Sequence, residues 1–192
     1  MEIYAHIDET GTRLPDGSRL YGLAAVLTDG ADHALVAATV RGLLLPGQRW
    51  LHHYDETRDR RIKIAESLAP LPLIGTIFMT TPTDRTRQEQ ARARLLVELL
   101  PHLQHTEHAT RVVMESRQAG DRHDRRVRDR LRRSHRIDAA MPVDHKVKDA
   151  DPCLWVADFI AGAYIAAHHH DDLEPWEILC AAHVIEVRTV PE

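Results

Sequence analysis

Three carboxylates in this 192-residue chain stand where an ionised side chain needs a cation to explain it. Asp158 is the clearest. It interrupts LWVADFIAGAYIAA, Leu154 to Ala167, whose other residues suit a buried helix. A lone charge on such a helix is costly unless it meets an Arg, a Lys or a metal ion, and none stands beside it in sequence. Asp8 lies near the end of one strand-like stretch, IYAHID, and Glu115 near the end of another, RVVMES. Residues at the carboxyl ends of neighbouring parallel strands converge on one crevice. Such a convergence would hold Mg2+ or Mn2+, hard cations that take a few carboxylates plus water and phosphate. Two such ions about 4 Å apart stabilise both the attacking and the leaving oxygen of a phosphodiester displacement.

Each carboxylate also has an ordinary reading. Asp8, close to Gly11, would serve as a turn residue bonded to its own backbone, and Asp158 would pair with an Arg from elsewhere. Glu9 points away from Asp8 if the strand continues, as a supporting or exposed group. Asp151 lies two turns before Asp158 on the same helix face, ~10 Å away at 1.5 Å rise per residue. It either approaches a second ion or compensates the dipole at the helix start. His102, His105 and His108, and the run from His168 to Asp172, are better read as helix-end compensation than as zinc sites.

The segment Arg117 to Arg136 carries nine Arg and three Asp, +6, although the whole chain is at -4 with a pI of about 6.4. A solvated face laced with Asp–Arg pairs is one explanation. The other is contact with a polyanion, because Arg suits bidentate phosphate binding. In that case Arg117, Arg122, Arg125, Arg126, Arg132 and Arg133 would grip a nucleic-acid backbone without reading sequence.

The elements that must position these groups follow from pattern. Residues Ile3 to Asp8 and Leu20 to Leu27 alternate as a hairpin, with Glu9 to Ser18 as its loop. Helices are expected over Ala31 to Leu45, from Asp55 to Ala69, from about Asp84 to His105, around Asp158, and near Pro175 to Ala182. Further strands are expected at RWLHHY, at Leu73 to Thr81, at Arg111 to Ser116, within Ala139 to Val147, and at HVIEVRTV. Strands first, then strands alternating with helices, define an α/β mixed sheet with helices on its faces. One domain over residues 1–192 is expected from size and apolar content. Two isolated cysteines, no signal-peptide pattern and no membrane-length apolar run imply a reduced cytoplasmic protein that does not meet a membrane.

IDETGT followed by YGLAAVL, the RWLHHYDE segment, VVMES and the helix DPCLWVADFIAGAY resemble the bacterial family of unknown function numbered thirty-eight hundred, from about Ile3 to Tyr164. The resemblance implies a ribonuclease-H-like fold, with three antiparallel strands extended by parallel ones, and an acidic metal site. It matches Asp8, Glu115 and Asp158 to the site carboxylates, with Thr10 in place of the usual Ser and Trp155-Val156 in place of Leu-Gln. It also brings His52, His53 and Glu56 toward the site. On a strand only one of the two histidines would face inward, and an exposed edge capped at Asp55 is the competing explanation. The function implied is hydrolysis of RNA or DNA by a metal-dependent nuclease. The alternative is a catalytically inactive binding module, in a defence or toxin system.

Overall fold

The computed structural model describes residues 2–83 and 88–191. The amino-terminal alternation builds β1 (Ile3–Arg13) and β2 (Arg19–Asp29), antiparallel in unbroken register from Ile3 opposite Asp29 to Arg13 opposite Arg19. The expected loop from Glu9 is therefore strand as far as Arg13. Gly11 permits it, since a Cβ there would stand 2.6 Å from the Leu20 carbonyl oxygen. The turn itself is confined to residues 14–18, closed by the Leu14 N–H on the Ser18 carbonyl, with Gly17 at φ 86°.

In chain order follow α1 (His33–Gly42), α2 (Arg58–Leu68), β3 (Ile74–Thr83), α3 (Gln88–His105), β4 (Arg111–Glu115), α4 (Asp121–Arg133), β5 (Val143–Lys146), α5 (Cys153–His169), α6 (Glu174–Ala182) and β6 (Val184–Val190). The start expected for α3, at Asp84, falls outside the described residues. The six strands lie in the order β5-β4-β1-β2-β3-β6. β1, β2 and β3 form the antiparallel meander; β4 and β5 extend it in parallel beyond β1, and β6 does so beyond β3.

Successive strand residues face opposite sides, and the sheet fills a core on each. Ala24, Val26, Ile77, Met79 and Val113 pack with α1, α2, α5 and α6. Leu23, Ala25, Leu27, Phe78, Val112 and Met114 pack with α3 and α4. This alternation places His6, Asp8 and Glu115 on the α5 side, whereas Ile7 and Glu9 face α3. α5 is buried almost all round, and Pro152 precedes it where a missing N–H costs nothing.

RWLHHY is not a strand. Leu51 turns into the core and residues His53–Asp55 form one turn of 3-10 helix. The expectation failed because a single turn wedged against α5, rather than an alternating edge, buries these residues.

Candidate functional site

Asp8, Glu115 and Asp158 come together, and what stands between them is an ammonium. Lys148 Nζ lies 3.2 Å from Asp8 Oδ2, 3.1 Å from Asp158 Oδ1 and 3.5 Å from Glu115 Oε2. Lys148 sits in a short turn between β5 and α5, and its carbonyl accepts a 2.6 Å hydrogen bond from the Trp155 indole. Sequence reading missed this lysine. The DHKVKDADP segment put two lysines directly before α5, but nothing in spacing says that a chain entering a helix folds a side chain back over it.

Each carboxylate is held from behind. Asp8 Oδ1 accepts the Glu9 N–H at 2.7 Å, and Asp158 Oδ2 accepts the His53 N–H at 2.8 Å. His52 Nε2 lies 3.4 Å from Asp158 Oδ1. Both histidines thus reach Asp158, one by ring and one by backbone, because the 3-10 turn breaks the alternation expected of a strand. The His53 ring is buried edge-on to Phe159, centroids 5.2 Å apart, and presses on Gly162. A Cβ at 162 would lie 2.4 Å from His53 Cγ. Burial and the Arg61 charge push His53 down to about 3, so its ring is neutral.

Three carboxylates and one lysine leave an excess of negative charge. Burial, a hydrogen bond to Asp8 and the Asp8 charge push Glu115 up to about 8. Burial raises Asp158 as well, against the pull of Lys148. For Lys148 burial works downward, but Asp8, Asp158 and Glu115 together hold it above its ordinary range. The oxygens are hard donors and the point they share already carries positive charge, so the donor set fits a divalent ion. Magnesium–oxygen bonds of about 2.0–2.1 Å require the carboxylates to draw inward and Lys148 to yield its place.

Two clefts flank the cluster. One, about 440 Å³, is lined by Arg49, Trp50, His52, Glu115 and Lys148, with the Arg49 guanidinium 5.2 Å above the Trp50 ring. The other, about 630 Å³, is lined by Thr10, His52, Tyr54, Arg61 and Asp158.

The remaining expected residues lie elsewhere. Glu56 is buried against Gln48 and Arg60, not beside the carboxylates. Glu9 faces the far side of the sheet, where its Oε2 accepts from Tyr21 at 2.7 Å and Arg92 at 3.1 Å. Asp151 lies before the first turn of α5 and pairs with Lys146 at 2.8 Å, rather than sharing a helical face with Asp158. Among the arginines, Arg117 is tied to Glu89 and Asp124, and Arg132 donates to the Met141 carbonyl. Arg122, Arg125, Arg126 and Arg133 are exposed on α4. That helix covers the face opposite α5, because Val127 and Leu131 join the core shared with α3. Among the described residues these four line neither cleft.

No protein-family model matches the chain, and no curated protein matches it in sequence. Solved structures do resemble it. A single-residue variant of Bst-RNase HIII shares 16% identity at a TM-score of 0.51, covering 88% of this chain and 53% of that one. Bst-RNase HIII in complex with Mn2+ gives 16% and 0.50, covering 90% and 54%. RNase HII of Archaeoglobus fulgidus, in its complex with PCNA, gives 16% and 0.49, covering 82% and 69%. The chain spans about half the length of the two RNase HIII chains. At this identity the likeness establishes the fold, which is ribonuclease-H-like. No helix among the described residues is long and apolar enough to cross a membrane.

Proposed function

We propose that this chain is a Mg2+- or Mn2+-dependent nuclease that hydrolyses phosphodiester bonds in RNA or DNA, with Asp8, Glu115 and Asp158 as its metal-holding, catalytic carboxylates. The observation that carries the reading is the meeting of these three side chains, from β1, β4 and α5, around one cationic point. The fold supports it, since one RNase HIII of this architecture is known in complex with Mn2+. Membership of the bacterial family named above belongs to the same proposal, supported by the IDETGT and DPCLWVADFIAGAY motifs. So does a cytoplasmic setting, in keeping with free Cys153 and Cys180.

When bound, a divalent ion supplies charge to the phosphoryl oxygens as negative charge builds there. The protein does the positioning. The Glu9 and His53 N–H groups fix the orientation of Asp8 and Asp158. Glu115 would release its proton to solvent on becoming a ligand. Lys148, displaced by the ion, would keep its ammonium near the cleft, available to pair with backbone phosphate. Trp50 and the exposed ring of Tyr54 offer flat faces for unstacked bases. The four exposed arginines of α4 would engage a longer strand that passes to the far face.

The test is cleavage of labelled single-stranded RNA, DNA and RNA–DNA hybrid with Mg2+, Mn2+ or chelator. Divalent-dependent cleavage that disappears in Asp158→Asn, with the folded circular dichroism spectrum retained, supports the assignment. Equal cleavage by Asp158→Asn overturns it.

One observation favours a second reading. Lys148 already stands at the centre of the cluster and offsets part of its charge, so the domain would bind nucleic acid without cutting it. Retained binding in Asp158→Asn, no cleavage in any metal, and salt-dependent loss of affinity when Arg125, Arg126, Arg132 and Arg133 are replaced together would establish that reading.

A further inference from the structure

A second set of ligand atoms lies away from the three carboxylates. His6 of β1, His33 at the first position of α1, and Asp151 and Cys153 at the start of α5 each offer one donor atom, all within 4.8 Å of one another. His6 Nε2 is 3.5 Å from Asp151 Oδ2, and His33 Nε2 is 3.6 Å from Asp151 Oδ1. In a tetrahedral zinc site with bonds of about 2.0–2.3 Å, neighbouring ligand atoms are separated by roughly 3.3–3.8 Å.

His6 supplies an independent observation. Its side chain is 1% exposed, and neither ring nitrogen has a hydrogen-bond partner. A buried imidazole without partners is uncommon, because an unmet polar group inside a protein is costly. Its Nε2 is aimed at Asp151, yet 3.5 Å exceeds the usual 2.7–3.2 Å hydrogen-bond range. Two of the other three ligands are equally enclosed. Asp151 and Cys153 are buried, and His33 is partly exposed. Asp151 is further engaged by the Lys146 ammonium at 2.8 Å on Oδ2 and by the Cys153 N–H at 3.2 Å on Oδ1. Lys146 comes from the solvent side and leaves lone pairs free on both oxygens.

We propose that His6, His33, Asp151 and Cys153 form a structural site for a zinc-class transition-metal ion. Two imidazoles, a thiolate and a carboxylate suit zinc and not magnesium, which prefers oxygen alone. Four protein ligands close the shell, which marks a structural rather than a catalytic ion. Binding releases the Cys153 thiol proton to solvent and forms the metal–sulfur bond in its place. The ion would tie the start of α5 to β1 and α1, and so set the seat of the helix that carries Asp158.

Cobalt is the direct probe. Protein stripped with chelator is titrated with Co2+ and read by visible and near-ultraviolet absorption, then back-titrated with Zn2+. One equivalent of Co2+ should give tetrahedral d–d bands with a thiolate charge-transfer band, both displaced by Zn2+. Cys153→Ser should lose the charge-transfer band. His33→Gln, at the partly exposed ligand, should weaken zinc binding by more than the roughly 10–100-fold expected for a mere supporting partner. Asp158→Asn should leave the spectrum unchanged. Absence of a tetrahedral spectrum in the unsubstituted protein, an unaltered spectrum in Cys153→Ser, or its loss in Asp158→Asn would each overturn the proposal.

Discussion

The two faces of the sheet each bury a group of charges, and they are balanced in opposite ways. On the α3 side, Arg92 is nearly inaccessible and meets Asp124 through Nε at 2.9 Å and Nη2 at 2.9 Å, with Glu9 and Tyr21 around it and Arg117 close by. Burial would raise Asp124, but hydrogen bonds from His145 and Arg92 outweigh it and bring the carboxyl down to about 2. On the α5 side three carboxylates share one lysine, and burial with Asp8 pushes Glu115 up to about 8. Asp124 has enough positive charge around it to outweigh its burial; Glu115, buried beside Asp8, does not. The first face is complete as a structural pair, and the second is short of a cation.

That contrast can be broken at both ends. Asp158→Asn should reduce divalent-dependent cleavage to the level of a chelated sample while leaving the urea midpoint within experimental scatter, and any retained turnover removes the catalytic half of the comparison. Arg92→Met should do the reverse. It leaves the buried Asp124 with only Arg117 and His145 and should lower unfolding free energy by up to about 3–5 kcal/mol, measured by urea denaturation; a loss near zero would mean that this face is not structurally complete.

Gly162→Ala addresses the support of the acidic face. Its methyl meets the His53 ring, and the resulting overpacking should cost about 1–3 kcal/mol and tilt the N–H that holds Asp158. Urea denaturation and cleavage should both respond; a change in neither would show that the contact is dispensable. Lys148→Met removes the resident charge and should tighten Mn2+ binding about tenfold, which corresponds to roughly 1.4 kcal/mol, by isothermal titration. Weaker binding would make the lysine a partner of the ion instead of its competitor.

The last effect is on pH. Asp124 has a folded value of about 2 against an ordinary 3.8, so its contribution is full above about pH 4 and disappears as pH falls through about 2. Thermal melts across that window should show an extra loss in the unsubstituted protein that is smaller in Arg92→Met, where His145 and Arg117 still hold the carboxylate. Parallel curves would remove the pair from the account.

Much of this arrangement was legible in residue pattern. Period-two alternation gave the strands of both cores, and the charge on an apolar helix marked Asp158 as a residue in need of a partner. The partner was not legible. Lys148 lies ten residues away along the chain, but its bond to Asp8 spans 140, and such contacts follow from how a loop returns over a helix. The arginines show the same limit. Their count announced a basic helix, but Val127 and Leu131 seat it on the far face, and two apolar residues say nothing about which side of a sheet they will choose. His53 misled for a different reason. Its backbone matters to Asp158 and its ring to Gly162, a division of labour that alternation does not encode.

The indole of Trp155 grips the main chain of Lys148 and leaves its ammonium to the carboxylates. A counter-charge tethered this way never diffuses off, so an incoming ion competes with a rival held at high local concentration. The tether sets a threshold: below some level of free divalent metal the lysine would keep its place and the cluster would stay idle, and the length of one lysine side chain would decide where that level lies.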